Sequence, residues 1–184
     1  MKKVIAMVKF KPTRKMQFRR RHEGKTDYQQ RLQLLRSGKP RLVVRKGLKY
    51  IRVQVLTFDP KGDRTAASAI SQTLKKLGWA FACDNLPAAY LTGYMLGKFA
   101  KAKGVNEAVL DVGLCPSTKG SHLYAAAKGA IDAGIEVKVD ESMFPDEKRM
   151  RGEHIAAYDA RSKDMPKKFD EVKAKVDKYG GKEK

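Results

Sequence analysis

The hydrophobic positions of this chain begin to recur at a regular spacing only after about residue 25. Residues 26–29 read Thr-Asp-Tyr-Gln, a capping-box pattern that predicts the start of a short helix. Tyr28, Leu32 and Leu35 would share one face of this helix, and Ser37-Gly38 would end it before a proline. Residues 1–25 show no such period, so we expect them to be extended until they meet a partner.

Two runs rich in Val, Ile and Leu follow, at 41–46 and 50–58, with a turn at Gly47 between them. This pattern predicts a β-hairpin. Apolar and polar residues alternate in the second run, so one face of that strand can join a core while the other stays polar. The alternating residues are Ile51, Arg52, Val53, Gln54 and Val55.

The rest of the chain alternates between strand and helix patterns, which predicts an α/β domain with helices packed on a mixed sheet. We place this domain at 26–140, after a basic arm at 1–25 and before a charged helical extension at 141–184. The predicted elements are a strand at 64–68, helices at 70–77 and about 85–104, a strand at 107–114, a helix at 121–133, a strand at 135–139, and helices at 147–161 and 167–179.

Charge is concentrated near the N-terminus. The chain of 184 residues has 40 Lys and Arg against 20 Asp and Glu, a net charge of +20. Residues 1–49 hold 17 of the basic groups against Glu23 and Asp27, a net +15, whereas the other 135 residues carry a net +5. Such a segment would repel itself unless a polyanion neutralised it, which indicates a nucleic acid.

The sequence gives little support for a membrane or secretory location. No apolar run approaches the roughly 20 residues of a spanning helix, and Lys98, Lys101 and Lys103 interrupt the most apolar candidate. Residues 1–10 lack a secretory core and cleavage site. Cys83 and Cys115 lack the spacing of a zinc site or a disulfide framework. We therefore expect a reducing, cytoplasmic compartment.

Candidate catalytic groups are sparse. His22, His122 and His154 lie far apart and have no metal-ligand spacing. The loop 116–120 precedes a helix but lacks the order of a phosphate-binding GxxxxGK[ST] motif, so Lys119 would either contact an RNA phosphate or lie in a plain solvated loop. We expect no catalytic residue, metal, cofactor or small-molecule substrate.

Three other features have more than one interpretation. Gly93 and Gly97 have the spacing of a membrane dimerisation motif, but in this context they favour close packing on a sheet. The Arg19-Arg20-Arg21 run, inside a segment of net charge +15, favours phosphate neutralisation over a solvated charge cluster or a targeting signal. Phe10, Phe18 and Tyr28 could stack on unpaired bases or be buried, and the sequence favours neither.

Four segments resemble a known family, the archaeal form of large-subunit ribosomal protein eighteen, which is related to the eukaryotic ribosomal protein five. The resembling segments are RRRHEGKTDYQQRLQLLRSGKPRLVVRK from Arg19, NLPAAYLTGYMLGK from Asn85, EAVLDVGLCPSTKGSHLYAAAKGAIDAGIEV from Glu107, and FPDEKRMRGEHIAAY from Phe144. The first 15 residues do not match the family pattern, and Cys83-Asp84 replaces a Thr-Gly-like pair.

The resemblance implies a three-layer α/β domain of ribonuclease-H-like topology without catalytic function. The implied partners are 5S rRNA, large-subunit rRNA and neighbouring proteins of the central protuberance of the large ribosomal subunit. The family's RNA-contacting arm, helix, turn and strand correspond to Arg19, Arg20, Arg21, Lys25, Arg31, Lys39, Arg41, Arg45 and Lys46, and the loop pattern to Lys119. The charge of the segment adds Arg14, Lys15, Arg36 and Lys49 to the predicted RNA-binding residues.

The alternative is a nucleic-acid-processing enzyme of the same general fold. Such an enzyme would need a cluster of metal-binding carboxylates at strand ends. Asp111 is the one carboxylate that lies on a convincing predicted strand. Magnesium-dependent RNA cleavage abolished by Asp111→Ala would favour this alternative.

Overall fold

The computed structural model describes residues 16–179 and contains a five-stranded mixed sheet with helices packed against it. The strands are β1 (Arg41–Lys46), β2 (Ile51–Thr57), β3 (Arg64–Ile70), β4 (Glu107–Asp111) and β5 (Glu136–Val137). The helices are α1 (Arg19–His22), α2 (Tyr28–Leu35), α3 (Leu86–Ala102), α4 (His122–Asp132), α5 (Glu147–Arg151), α6 (Glu153–Tyr158) and α7 (Met165–Tyr179), with 3₁₀ turns at Ser71–Leu77, Glu141–Met143 and Ala160–Ser162.

The strand order in the sheet is β3-β2-β1-β4-β5. The predicted hairpin is confirmed: β1 and β2 pair antiparallel, with Arg45 opposite Arg52. β3 pairs antiparallel with β2, while β4 lies parallel to β1, and β5 lies parallel to β4. Because β2 alone runs against the other four strands, β1 and β4 point the same way, and Asp111 at the end of β4 lies opposite Val43 of β1.

The main core lies between the sheet and the pair α3 and α4. Ile51, Val53 and Val55 are fully buried there, as their alternation predicted. α3 begins where the Asn85 side chain accepts a hydrogen bond from the N–H of Ala88, and Pro87 lies in its first turn, where no N–H is needed. Burial on nearly every side of α3 explains why its sequence is apolar all round.

α3 and α4 approach each other closely through glycine. A Cβ atom added at Gly93 would lie 2.0 Å from the carbonyl oxygen of Ala126, and one at Gly97 would lie 2.4 Å from Cβ of Ala133. Gly129 of α4 makes the reciprocal approach to the backbone of Tyr90. The packing interpretation of Gly93 and Gly97 is therefore confirmed, but the partner is helix α4 and the expected sheet contact was wrong.

The C-terminal helix α7 packs on α3 and continues the same core. Its Met165, Phe169, Val172 and Val176 are buried. The ring centroid of Phe169 lies 5.4 Å from that of Tyr90. A hydrogen bond also joins the two helices, because Tyr94 Oη of α3 donates to Asp177 Oδ1 of α7 at 2.6 Å. The domain boundary predicted at residue 140 stays a prediction, and these contacts make α7 a part of the packing around α3.

Several local expectations need correction. Residues 19–22 form helix α1, so this part of the arm is not extended. Asp27 and not Thr26 caps α2, since its carboxylate accepts from the N–H groups of Gln29 and Gln30, and Leu32 is exposed rather than on the inner face. The segment predicted as one helix at 147–161 breaks at Gly152, whose φ of +81° ends α5.

Two other elements differ in length or kind. The helix predicted at 70–77 is a 3₁₀ segment, and the strand predicted to reach residue 114 ends at Asp111. Within residues 16–179, none of the helices is long and apolar enough to cross a membrane.

Candidate nucleic-acid interface

The arm and the first helices present cations to solvent. Arg19, Arg20 and Arg21 form α1 and are exposed. Arg20 Nε donates to Thr26 Oγ1 at 2.9 Å, and Lys25 Nζ lies 2.8 Å from a carboxylate oxygen of Glu23. These contacts are between exposed groups and fix the turn that joins α1 to α2. They leave the three arginines of α1 exposed to solvent, as an electrostatic contact with phosphates requires.

A second group of arginines is bound to carboxylates inside the fold. The Arg31 guanidinium donates from Nη2 to both oxygens of Asp63, at 2.9 and 2.8 Å. Arg41 Nη2 donates to Asp63 Oδ2 as well. Asp63 thus ties α2 to the first residue of β1 through two charge-assisted contacts.

Asp111 completes this network at the carboxyl end of β4. Arg41 Nη1 donates to its Oδ2 at 2.8 Å, and Arg45 Nη2 donates to its Oδ1 at 2.9 Å. The N–H of Gly113 also donates to Oδ1. The Asp111 carboxylate, predicted as a possible metal ligand in an enzyme, is therefore occupied by two guanidinium groups.

The predicted residues divide by exposure. The exposed ones are Arg19, Arg20, Arg21, Lys25, Arg36, Lys39, Arg45, Lys46, Lys49 and Lys119. Arg31 is half-buried, and Arg41 is 3% exposed with both terminal nitrogens bound to carboxylates, so its place is structural. Arg14 and Lys15 lie outside the described residues.

Exposed cations from separate elements gather near the carboxyl end of β1. Arg45 and Lys46 end that strand, and Lys49 lies in the turn of the hairpin beside Leu48, which is 95% exposed. Lys46 Nζ lies 3.5 Å from Nδ1 of His122, the first residue of α4. This contact brings the hairpin close to the loop 116–120 that carries Lys119.

Lys39 differs from these residues because it has a carboxylate partner. Its ammonium group pairs with Glu107 at the start of β4. The hydrogen bond to Glu107, assisted by the charge of that carboxylate, raises the pKa of Lys39 and lowers the pKa of Glu107. Both side chains remain close to half exposed, so water screens this pair and it contributes little to stability.

The aromatic residue Phe18 lies on the surface. Its ring is 70% exposed and its centroid lies 5.1 Å from that of half-buried Tyr28. The geometry leaves Phe18 accessible to a partner while Tyr28 packs along the inner side of α2. Phe10 lies outside the described residues.

The histidines and cysteines do not form a site in the described part of the chain. Burial, followed by the charge of Lys46, lowers the pKa of His122. Cys83 is buried and Cys115 is half-buried, and both are free thiols. Between residues 16 and 179, the structure contains no group of three His, Cys, Asp or Glu side chains placed to hold a metal ion.

Sequence reasoning missed Asp63 and Gly113. Asp63 lies in a predicted turn, 22 positions beyond Arg41, and nothing in its neighbourhood indicates an arginine partner. Gly113 has a φ of +64°, and a Cβ atom there would lie 2.9 Å from Cζ of Arg45. The glycine at position 113 was the one signal available in the sequence, because a left-handed backbone conformation favours glycine.

Fold and surface together define a basic α/β protein that offers guanidinium and ammonium groups to a polyanion. A comparison with family sequences matches residues 13–105 to the ribosomal large subunit proteins 60S L5 and 50S L18. This chain belongs to that family, as the resemblance predicted. The family supplies structural components of the large ribosomal subunit and is not an enzyme family.

Individual relatives support the same assignment. The chain is 57% identical over 144 residues to large ribosomal subunit protein uL18 of Korarchaeum cryptofilum, covering 78% of this chain and 74% of the relative. It is 44% identical over 185 residues to uL18 of Methanothermobacter thermautotrophicus, covering 90% and 96%. It is 46% identical over 173 residues to uL18 of Haloarcula marismortui, covering 88% and 92%.

Proposed function

We propose that this chain is a structural constituent of the large ribosomal subunit in the cytoplasm, where it binds 5S rRNA and helps to anchor it in the central protuberance. The observation that carries the proposal is the exposed cation cluster on α1, on the 36–39 turn and at the end of the hairpin. The family assignment supplies the ribosomal context.

The exposed groups suit recognition of a folded RNA backbone. Lysine and arginine side chains on an arm and a hairpin supply charge that does not depend on base sequence, while the folded shape of the RNA supplies selectivity. We assign this role to the ten exposed residues of the predicted set and to Arg14 and Lys15 of the arm. Arg31 contributes through its exposed part. Arg41 is left out because both terminal nitrogens of its guanidinium are bound to the carboxylates of Asp63 and Asp111.

The fold proposal is a three-layer domain of ribonuclease-H-like topology. The strand order β3-β2-β1-β4-β5, with only β2 antiparallel to the rest, supports it. On this arrangement the basic arm at 1–25 and the extension at 141–184 would serve contacts with large-subunit rRNA and with neighbouring proteins.

A competition binding titration tests the function. Purified protein would be titrated with 5S rRNA at near-physiological salt, with transfer RNA and a random duplex as competitors. We expect a preference for 5S rRNA of roughly a hundredfold, about 2.7 kcal/mol. Equal binding to all three RNAs would overturn specific recognition, because a charge of +20 alone binds any polyanion.

The nuclease alternative has a separate test. Wild-type protein and Asp111→Ala would be incubated with folded RNA and Mg²⁺, and the RNA would be examined for cleavage. We expect none from either protein, since Asp111 is held by Arg41 and Arg45. Magnesium-dependent cleavage that disappears in the variant would restore the enzyme hypothesis.

A further inference from the structure

A cavity of about 580 Å³ lies between the 20–34 segment, strand β1 and the loop that follows β4. Its volume is in the range of sites that hold a small organic group. One wall comes from the 20–34 segment, including Arg20, Lys25 and Tyr28, and the other from Arg41, Arg45 and residues 111–115. The cavity therefore joins the arm to the end of the hairpin, both of which belong to the proposed RNA surface.

The charge of the lining is positive. Five cations line the cavity, against the carboxylates of Asp27 and Asp111, and two of the five, Arg31 and Arg41, are also paired with Asp63. Both carboxylates are already engaged, since Asp27 accepts backbone N–H groups of α2 and Asp111 accepts from two arginines. Arg20 and Lys25 are exposed at the mouth, where an anionic group would be attracted.

The Arg45 guanidinium is held as a flat platform in this cavity. Nη1 donates to the carbonyl oxygens of Val44 and Asp111 at 2.9 and 2.8 Å, and Nη2 donates to Asp111 Oδ1. These hydrogen bonds lie close to the guanidinium plane and fix its orientation, because the N–H groups of a guanidinium point outward within that plane.

Gly113 supports one face of that platform. A Cβ atom built on Gly113 would lie 2.9, 3.1 and 3.2 Å from Cζ, Nη2 and Nη1 of Arg45. Three nearly equal distances mean that the glycine lies over the plane and not beside its edge. The Arg45 side chain nevertheless stays 44% exposed, which leaves surface on which a planar ring can stack.

We propose that this cavity receives one unpaired nucleobase of the bound RNA, which stacks on the Arg45 guanidinium while its phosphate lies beside Arg20 and Lys25. Stacking of splayed bases on arginine planes is an established mode of RNA recognition. The inference rests on the proposed function and adds to it a contact with a base, beyond the contacts with backbone phosphates.

The test uses full-length protein and 5S rRNA carrying 2-aminopurine at one unpaired position at a time. Stacking quenches the fluorescence of this base, so we expect wild-type protein to change the signal at one or a few positions. Arg45→Lys keeps the charge but removes the plane, and we expect it to abolish that change and weaken binding about tenfold, with the salt dependence unaltered.

Arg64→Lys is the matched control. Arg64 is exposed and pairs with Asp59 at 2.8 Å, as Arg45 pairs with Asp111, but it lies on β3 and does not line the cavity. The same substitution there should leave both affinity and fluorescence as in the wild type. Thermal unfolding of each variant would establish that a loss of binding is not a loss of fold.

A measurement on the wild-type complex covers the case in which Arg45→Lys is poorly folded. Ultraviolet cross-linking followed by mass spectrometry should attach RNA to Tyr28 or Cys115, since both line the cavity. Specific binding of 5S rRNA without a cavity cross-link, or with normal fluorescence in Arg45→Lys, would overturn this inference and leave the proposed function standing. If the wild-type protein shows no preference for 5S rRNA, both this inference and the proposed function are overturned.

Discussion

The Arg41 guanidinium donates to the Asp111 carboxylate at 2.8 Å, and the two residues are only 3% and 5% exposed. Neither charge could be buried alone, because desolvation of an unpaired ion costs several kcal/mol. The pair joins the adjacent parallel strands β1 and β4, and Asp111 also accepts from Arg45, which lies near the carboxyl end of β1 among the exposed cations. Stability of this part of the sheet and its positive surface therefore depend on the same residues.

Removal of the Asp111 carboxylate should destabilise the protein strongly. Asp111→Ala would leave Arg41 buried with only Asp63 as partner and would free Arg45. We expect the free energy of unfolding to fall by about 3 kcal/mol, measured by urea denaturation. Glu171→Gln, which breaks an exposed pair with Lys168, is the control and should have no measurable effect. Equal stability of the two variants would contradict the role assigned to Asp111.

The contact between α3 and α4 should tolerate no added methyl group. In Gly97→Ala the new Cβ would meet Cβ of Ala133, and we expect a loss of about 1–3 kcal/mol. Adding Ala133→Gly removes the opposing atom and should restore part of that loss. Thermal or urea unfolding of the single and double variants measures the coupling, and strictly additive effects would show that this contact is not the cause.

Helix α7 should contribute to global stability. Phe169 is buried against Tyr90, so Phe169→Ala should cost about 3–5 kcal/mol. Tyr158→Ala removes a fully exposed aromatic from the same extension and should leave unfolding unchanged. A wild-type unfolding curve for Phe169→Ala would mean that residues 165–179 do not belong to the cooperative unit.

The arginine run on α1 should set part of the salt dependence of RNA binding. Changing Arg19, Arg20 and Arg21 together to Ala removes up to three phosphate contacts, each of which contributes roughly 0.7 to 0.9 to the logarithmic salt slope. We therefore expect weaker binding of 5S rRNA and a slope that is flatter by about two. The control changes Lys163, Lys167 and Lys168 to Ala, which removes the same charge from the C-terminal extension. If both triple variants lowered the salt slope equally, the effect would come from total charge and not from the arginines of α1.

Stability should fall as the pH drops below about 6.5. Burial lowers the pKa of His122 in the folded state from its ordinary value of 6.5. The unfolded state therefore takes up a proton first, so the contribution of His122 is complete above pH 6.5 and is lost as the pH falls through the folded pKa. His122→Gln should flatten the pH dependence of the free energy of unfolding over this window. If His122→Gln kept the pH dependence of the wild type, His122 would not be the group that titrates in this window.

The sequence alone determined the local elements and the location of charge. Alternation at Ile51, Val53 and Val55 predicts a half-buried strand, and a capping residue with a proline in the first turn predicts the start of α3. These signals act over a few neighbouring residues, so they can be interpreted without knowing the fold. The resemblance to a family was equally accessible, since it depends on the order of residues.

Only the tertiary structure decided which cations stay exposed. Arg41 and Arg45 belong to one strand and are four positions apart, yet one is buried between two aspartates and the other is exposed beside a cavity. Asp111 comes to them from 70 and 66 positions along the chain, through the pairing of β1 with β4. The physical reason is that the energy of a charge depends on its partners and its burial, and both are set by contacts between residues that are distant in sequence.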